Sequence, residues 1–244
     1  MNKHNYYQPV IIIIPAKNES ATVGDVIAQI KQHFTGTVLV VDDASTDNTA
    51  QIARDAGAIV LPLSYSLGAW GAIQTGLRYA LKHGYNTAIT MDADGQHEAE
   101  SIAHILVPLK ADQCDVVIGA FTERGSFARR FAWQFFRKLS GLTLQDLTSG
   151  LRAYNHAAIR LLASQHATLL EYQDMGVLML LRKEGLYITE TSIKMRPRAN
   201  GHSRIFNSWW AVTGYMLHTA VLCIAHTRLR NKKVKCHINS HQPS

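Results

Sequence analysis

The chain has 244 residues, 47% hydrophobic and 18% charged, with a formal net charge of +7. That length allows one large α/β domain or two small ones, and that balance excludes a disordered chain. The positive charge suits phosphate-bearing ligands or an anionic membrane, and three cysteines without metal or redox spacing argue for a reduced, cytoplasmic setting.

Residues 1–9 hold no apolar core of signal-peptide length, so no secretion signal is expected. Residues 10–14, VIIII, read as a strand buried on both faces and expected to stop at Pro15. Val23, Ile27, Ile30 and Phe34 recur at helical spacing. A second strand, 38–41, ends in Asp42-Asp43; a helix is expected to start at Asp47 and close at Gly57. Further along, 59–61 is strand-like, 71–82 helix-like, 86–91 a strand, 98–110 a helix and 115–118 a strand. This alternation predicts an α/β fold with a doubly wound, mainly parallel sheet and flanking helices. In such sheets ligands sit at the carboxyl ends of strands, where both acidic clusters fall.

Beyond 126 the pattern changes. Residues 127–139 look amphipathic, a loop covers 140–150, and helical stretches run to Gly185 before a strand-like LYITETSIKM. The run 209–225 is uncharged and largely apolar, with Trp209, Trp210 and Tyr215, and is followed by Arg228, Arg230, Lys232, Lys233 and Lys235. It is shorter than the roughly 20 residues of a full membrane span. A helix lying on an anionic membrane surface fits it; a contact between copies of a homo-oligomer is the alternative. The expected division is a catalytic domain, 1–205, and a C-terminal apolar helix with a basic tail, 206–244.

Chemistry concentrates at strand ends. In ITMDADGQH, Asp92 and Asp94 share a tight turn with Gln96, and carboxylates at i and i+2 can hold a hard divalent cation beside a diphosphate; the plainer alternative is a solvated acidic turn. In VVDDASTDNTA, Asp42 or Asp43 can accept hydrogen bonds from a base imide or a ribose hydroxyl, while Ser45 or Asp47 caps a helix. Glu19, in IPAKNES, can bind a ligand or act as a first-turn acid. Gly68, Gly71 and Gly76 allow backbone to approach a phosphate but lack the dinucleotide spacing. Arginines cluster at 124, 129 and 130, and at 196, 198 and 204, where bidentate phosphate binding competes with a plain solvated face.

IPAKNES, VVDDASTDNTA, SLGAWGAIQTG, MDADGQHEAE, DLTSGLRAY and RANGHSR stand in the order typical of family 2 glycosyltransferases. Together they resemble most the branch of dolichyl-phosphate mannose synthases and bacterial polyprenyl-phosphate sugar transferases. The resemblance spans about residues 10–205 and implies a GT-A fold, a UDP- or GDP-sugar donor, Mg²⁺ or Mn²⁺, and inversion at the anomeric carbon. It places Pro15, Lys17, Glu19, Asp42, Asp43, Gly68 and Asp92 at the nucleotide, with Asp43 reading the base. It gives the metal to Asp92, Asp94 and Gln96, and Arg124, Arg130, Arg198 and Ser203 to the acceptor, a lipid phosphate. Asp94 would be essential to turnover; were the acceptor a hydroxyl, Asp146 or Asp174 would take its proton. Lys17 stands where the family often has Tyr, Ser66 where Asn is usual, and Arg204 where Lys is usual. The pair of long transmembrane helices of many relatives is absent from this sequence.

The implied partners are a nucleotide sugar, a lipid phosphate and the cytoplasmic face of the membrane, in the service of cell-envelope glycan synthesis. Two alternatives are a haloacid dehalogenase-type phosphatase with Asp92 as nucleophile, and a non-catalytic nucleotide-sugar-binding module. No nucleic-acid-binding signature occurs, and no nucleic-acid partner is expected.

Overall fold

A computed structural model describes residues 9–121, 144–146, 149–168 and 175–196. Seven strands form one sheet: β1 Val10–Ala16, β2 Thr37–Asp42, β3 Ile59–Pro62, β4 Thr87–Thr90, β5 Val116–Ala120, β6 Arg152–Tyr154 and β7 Ile188–Ser192, in the order β3-β2-β1-β4-β6-β5-β7. Every pairing is parallel except those of β6, which runs antiparallel between β4 and β5. The helices are α1 Val23–His33, α2 Thr49–Asp55, α3 Gly68–Lys82, α4 Ser101–Lys110, α5 His156–Ala163 and α6 Met175–Lys183, with a short 3₁₀ turn at Gln165–Ala167.

The β1 run packs both ways. Ile11 and Ile13 join Leu39, Val41, Leu77, Ile159 and Leu162 on one face of the sheet. Ile12 and Ile14 join Val38, Val40, Ile27, Ile30, Ile102 and Ile105 on the other. All four isoleucines are fully buried, each removal from water being worth about 2 kcal/mol. A β-branched run without polar breaks therefore becomes a central strand.

Pro15 does not stop β1, contrary to expectation. Pro15 and Ala16 still pair with Val41 and Asp42. Ile13 turns its carbonyl to Met91 N on the β4 side and Ala16 turns its own to Asp43 N on the β2 side. Alternation puts the missing N–H of Pro15 on the β4 side, where pairing has already ended at Ile13. The helix expected from Asp47 begins at Thr49, with the Asp47 side chain accepting from Thr49 N, and Gly57 closes it at φ +80°. Strand β6 was not foreseen, because three residues carry no readable period.

Helix α3 clamps the far layer with one stripe of polar side chains. Trp70 Nε1–H donates to Ala167 O at 2.8 Å, Gln74 Nε2 to the Leu162 and Ser164 carbonyls at 3.0 Å each, and Arg78 Nε to Ala163 O at 3.0 Å. These donors satisfy the last carbonyls of α5 and the turn after it, which a helix leaves unpaired. Trp70→Phe keeps an aromatic ring but removes the five-membered ring from the core and strands a buried carbonyl, so urea unfolding is expected to show a loss of about 2–4 kcal/mol.

Among the described residues no helix is long and apolar enough to cross a membrane. Segments 127–139 and 209–225 lie outside the described residues, as do Arg124, Arg130, Asp174, Arg198 and Ser203.

Candidate functional site

Chain direction creates the site. From β1 the order runs outward through β2 to β3, then returns to place β4 on the other flank of β1. The carboxyl ends of β1 and β4 border the resulting crevice, the standard ligand position in an open parallel sheet. Lys17 follows β1 there, Asp43 follows β2, and the Asp92–Gln96 turn follows β4.

At the β4 end, Gly95 takes φ +73° and Asp94 Oδ1 accepts from Gln96 N at 3.1 Å, which closes the turn. The Asp92 side chain keeps 43% of its surface exposed. Beneath it lies His97, whose side chain is wholly buried and whose Nε2 is 3.4 Å from Asp92 Oδ2. Among the described residues neither ring nitrogen makes a hydrogen bond, and the imidazole packs against the carboxylate within ion-pair distance, walling it on that side. Gly150 is the other wall. A Cβ there would overlap Oδ1, Oδ2 and Cγ of Asp92, and Thr90 Oγ1 fixes that backbone by donating to Gly150 O at 3.0 Å. The turn also meets the end of the described chain: His97 bridges Met195, and Arg196 N donates to Gln96 O at 2.7 Å.

Two carboxylates and an amide oxygen on one turn are hard oxygen donors of the kind Mg²⁺ and Mn²⁺ take. Among the described residues no three His, Cys, Asp or Glu side chains converge into a closed cage.

At the β2 end, Asp42 and Asp43 are buried. Asp42 Oδ1 accepts from Ser45 N at 3.3 Å. The Asp43 carboxylate accepts from Ser66 Oγ at 2.6 Å, Leu67 N at 2.6 Å and Gly68 N at 3.1 Å. Lys17 Nζ donates to Ser66 Oγ at 3.0 Å. Three strand-end segments thus meet at one carboxylate. Gly68 has φ +75° and open space around a would-be Cβ, so its backbone conformation, not crowding, requires glycine.

The loops after β1 and β2 are sewn together. Asn18 N donates to Ser45 Oγ, Thr46 N to Asn18 Oδ1, Glu19 N to Thr49 Oγ1 and Ser20 N to Asp47 Oδ2. Desolvation alone would raise the Asp47 carboxyl. Donation from Thr49 and Ser20 outweighs it and lowers the pKa from 3.8 to about 2. A depressed carboxylate contributes stability above its ordinary pKa and loses it as pH falls through the folded value. Asp47→Asn is therefore expected to melt slightly below wild type at pH 5, with the gap closing between about pH 4 and pH 2; a gap constant over that range would refute the linkage.

Asp146 is buried, its Oδ2 accepting from Phe121 N at 3.3 Å. Its own N–H and that of Gln145 both go to Glu190 of β7, at 2.7–2.8 Å. The structure brings Lys17, Asp42, Asp43, Asp92, Asp94 and Gln96 to the ends of three neighbouring strands, β1, β2 and β4; Gly68 opens α3 beyond β3, Glu19 sits in the sewn loop and Pro15 inside β1. Sequence reasoning missed His97 and Gly150 as the walls of Asp92, and Glu190 as the anchor of the Asp146 segment. Gly150 lay in a quoted motif. Glu190 alternates with polar neighbours and reads as solvent-facing.

The model of the family described as glycosyl transferase family 2 matches residues 11–165. The undecaprenyl-phosphate mannosyltransferase of Micrococcus luteus is 32% identical over 167 residues, covering 62% of this chain and 68% of that one. The UDP-N-acetylglucosamine–dolichyl-phosphate N-acetylglucosaminyltransferase of Methanococcus voltae is 28% identical over 215 residues, covering 76% and 84%. Among solved structures, glucosyl-3-phosphoglycerate synthase of Mycobacterium tuberculosis, in complex with Mn²⁺, UDP-glucose and phosphoglyceric acid, superposes with a TM-score of 0.70 at 19% identity, covering 92% of this chain and 82% of that one. At that identity the likeness shows the fold. The phosphatase alternative finds no support: its aspartates belong after the first strand, and here the pair follows the fourth.

Proposed function

The chain belongs to glycosyl transferase family 2, and on that premise we propose that it is a metal-dependent, inverting enzyme moving a sugar from a nucleoside diphosphate to a polyprenyl phosphate. The observation that carries this reading is the walled, half-exposed Asp92 beside Asp94 at the β1/β4 crevice. Asp43 and the Ser66–Gly68 loop would hold the nucleoside, with Pro15, Lys17, Glu19, Asp42 and Gly68 around it. Asp92 would face the nucleotide end of the donor, and Asp92, Asp94 and Gln96 would hold Mg²⁺ or Mn²⁺. When bound, such an ion neutralises charge on the departing diphosphate. The polyprenyl-phosphate acceptors named for the Micrococcus and Methanococcus relatives support the acceptor class.

A phosphate oxygen is already anionic at neutral pH and attacks the anomeric carbon without a base, whereas a hydroxyl must lose a proton. Asp146 is buried with one oxygen bonded to a backbone amide, which supports the base-free route; Asp146 or Asp174 would serve only for a hydroxyl acceptor. Arg124, Arg130, Arg198 and Ser203 would meet the acceptor phosphate. We place the enzyme at the cytoplasmic face of the membrane, with a catalytic domain over 1–205 and the apolar and basic stretch 206–244 resting on anionic lipid or on a second copy.

Purified protein, Mg²⁺ or Mn²⁺, a panel of UDP- and GDP-sugars and a short polyprenyl phosphate test this. One donor is expected to release its nucleoside diphosphate in an EDTA-sensitive way, faster with the lipid. Release indifferent to lipid would replace the acceptor by a hydroxyl compound. No turnover and no nucleotide-induced thermal shift would overturn the transferase reading.

A further inference from the structure

Among the described residues, His97 has a wholly buried side chain and no hydrogen bond at either ring nitrogen. A buried donor or acceptor left unmade is costly, and leucine would fill about the same space without that cost. The fold also holds the ring still. The His97 backbone bridges Met195, and Gln96 O, one residue earlier, accepts from Arg196 N at 2.7 Å. The Arg196 guanidinium in turn reaches Glu98 at 3.5 Å and Gln29 at 3.3 Å. A pinned imidazole therefore sets Nε2 at 3.4 Å from Asp92 Oδ2, whereas an N–H···O bond to a carboxylate closes at about 2.7–2.9 Å. The carboxylate is the partner able to move: 43% of its side chain is exposed, and Gly150 presents it a face without a Cβ. A shift of about half an ångström would make the bond.

We propose that His97 is a positioning residue for Asp92: in the liganded site its Nε2–H donates to Oδ2 and fixes the orientation in which the carboxylate serves the cation shared with Asp94 and Gln96. The bond is completed on binding, so the unpaired imidazole lowers stability beforehand and raises affinity afterwards, a trade between folding and function. Neither packing nor charge alone accounts for a histidine here. Packing would be met by an aliphatic side chain, and what the ring adds is a donor aimed at one oxygen of Asp92. The inference rests on the donor-site reading above.

Calorimetric titration of the full chain with UDP and with GDP, each in Mn²⁺ and in EDTA, gives the factor by which the metal tightens the nucleotide. Thermal melting of the same preparations gives stability. Wild type is compared with His97→Leu, which lacks a donor, and with His97→Gln, which places an amide N–H about where Nε2 stands. His97→Leu is expected to melt about 2–5 °C above wild type. It is also expected to cut the Mn²⁺ factor about tenfold, the worth of one charge-assisted hydrogen bond, with affinity in EDTA unchanged. His97→Gln is expected to return the factor to within about threefold of wild type, without the gain in melting temperature. His97→Met replaces His97→Leu if the latter does not melt cooperatively. Equal Mn²⁺ factors in wild type and His97→Leu would overturn the proposal, as would a glutamine variant that binds no better than the leucine one. A leucine variant that melts below wild type and loses affinity in both media would make the ring a packing element and overturn it too. Those results remove His97 alone, whereas a wild type that binds neither nucleotide in Mn²⁺ would remove the donor site itself.

Discussion

Asp94→Asn is expected to lower kcat/KM for sugar transfer by about a thousandfold or more, with melting within about 2 °C of wild type. The substitution exchanges one carboxylate oxygen for an amide nitrogen of the same size. Oδ1, which closes the turn by accepting from Gln96 N at 3.1 Å, survives it, and Gly95 keeps its left-handed backbone. What disappears is a negative charge at a strand end where a cation and a diphosphate would meet. Hard cations bind carboxylate oxygens more strongly than neutral amide oxygens, so the loss falls on chemistry and leaves the fold alone. Donor hydrolysis, transfer and thermal melting of the same preparation check this. Activity within tenfold of wild type would remove Asp94 from the metal site; a collapsed melting temperature would mean that the turn, and not the charge, was damaged.

The strand-end placement of the acidic residues was legible because its signals are local. A β-branched run such as 10–14 has one comfortable home, the middle of a parallel sheet, and acidic pairs after 41 and 91 then fall at its carboxyl edge. Capping chemistry at Asp47 and the glycine stop at 57 were legible for the same reason. Less visible was everything that depends on distant pairing. Strand β6 reaches β4 and β5 only after the chain reverses, and it is three residues long. Glu190 holds the backbone of residues 44 and 45 positions earlier, and Lys17 finds Ser66 at a separation of 49. Neither contact leaves a periodic trace. Pro15 misled in the opposite direction, since the rule that proline ends pairing ignores which neighbour its missing N–H faces.

Two glycine substitutions are expected to fail in opposite ways. Gly76 lies on α3 where the helix approaches β1, and an added Cβ would overlap Ile13 Cγ2 in the core. Alanine in a helix interior gains about 0.5–1 kcal/mol over glycine, but overpacking a filled core costs about 1–3 kcal/mol. The second effect wins: Gly76→Ala should unfold earlier in urea while each folded molecule keeps its activity. Gly150→Ala meets no helix propensity and no left-handed backbone, because its φ is open to any residue. Its Cβ would instead take the place of the Asp92 carboxylate. That carboxylate has little room to retreat, since the buried His97 ring stands 3.4 Å from Oδ2; the direction left open is toward solvent, where 43% of its side-chain surface already lies. Displacing a positioned charge in this way should cost about a hundredfold in kcat/KM, with a smaller change in stability than Gly76→Ala produces. Measuring urea midpoints and transfer rates on both variants decides the point. If Gly150→Ala loses stability and keeps its rate, Asp92 tolerates the shift and its wall is structural only; if it loses rate at unchanged stability, the 149–151 segment sets the geometry of the donor site.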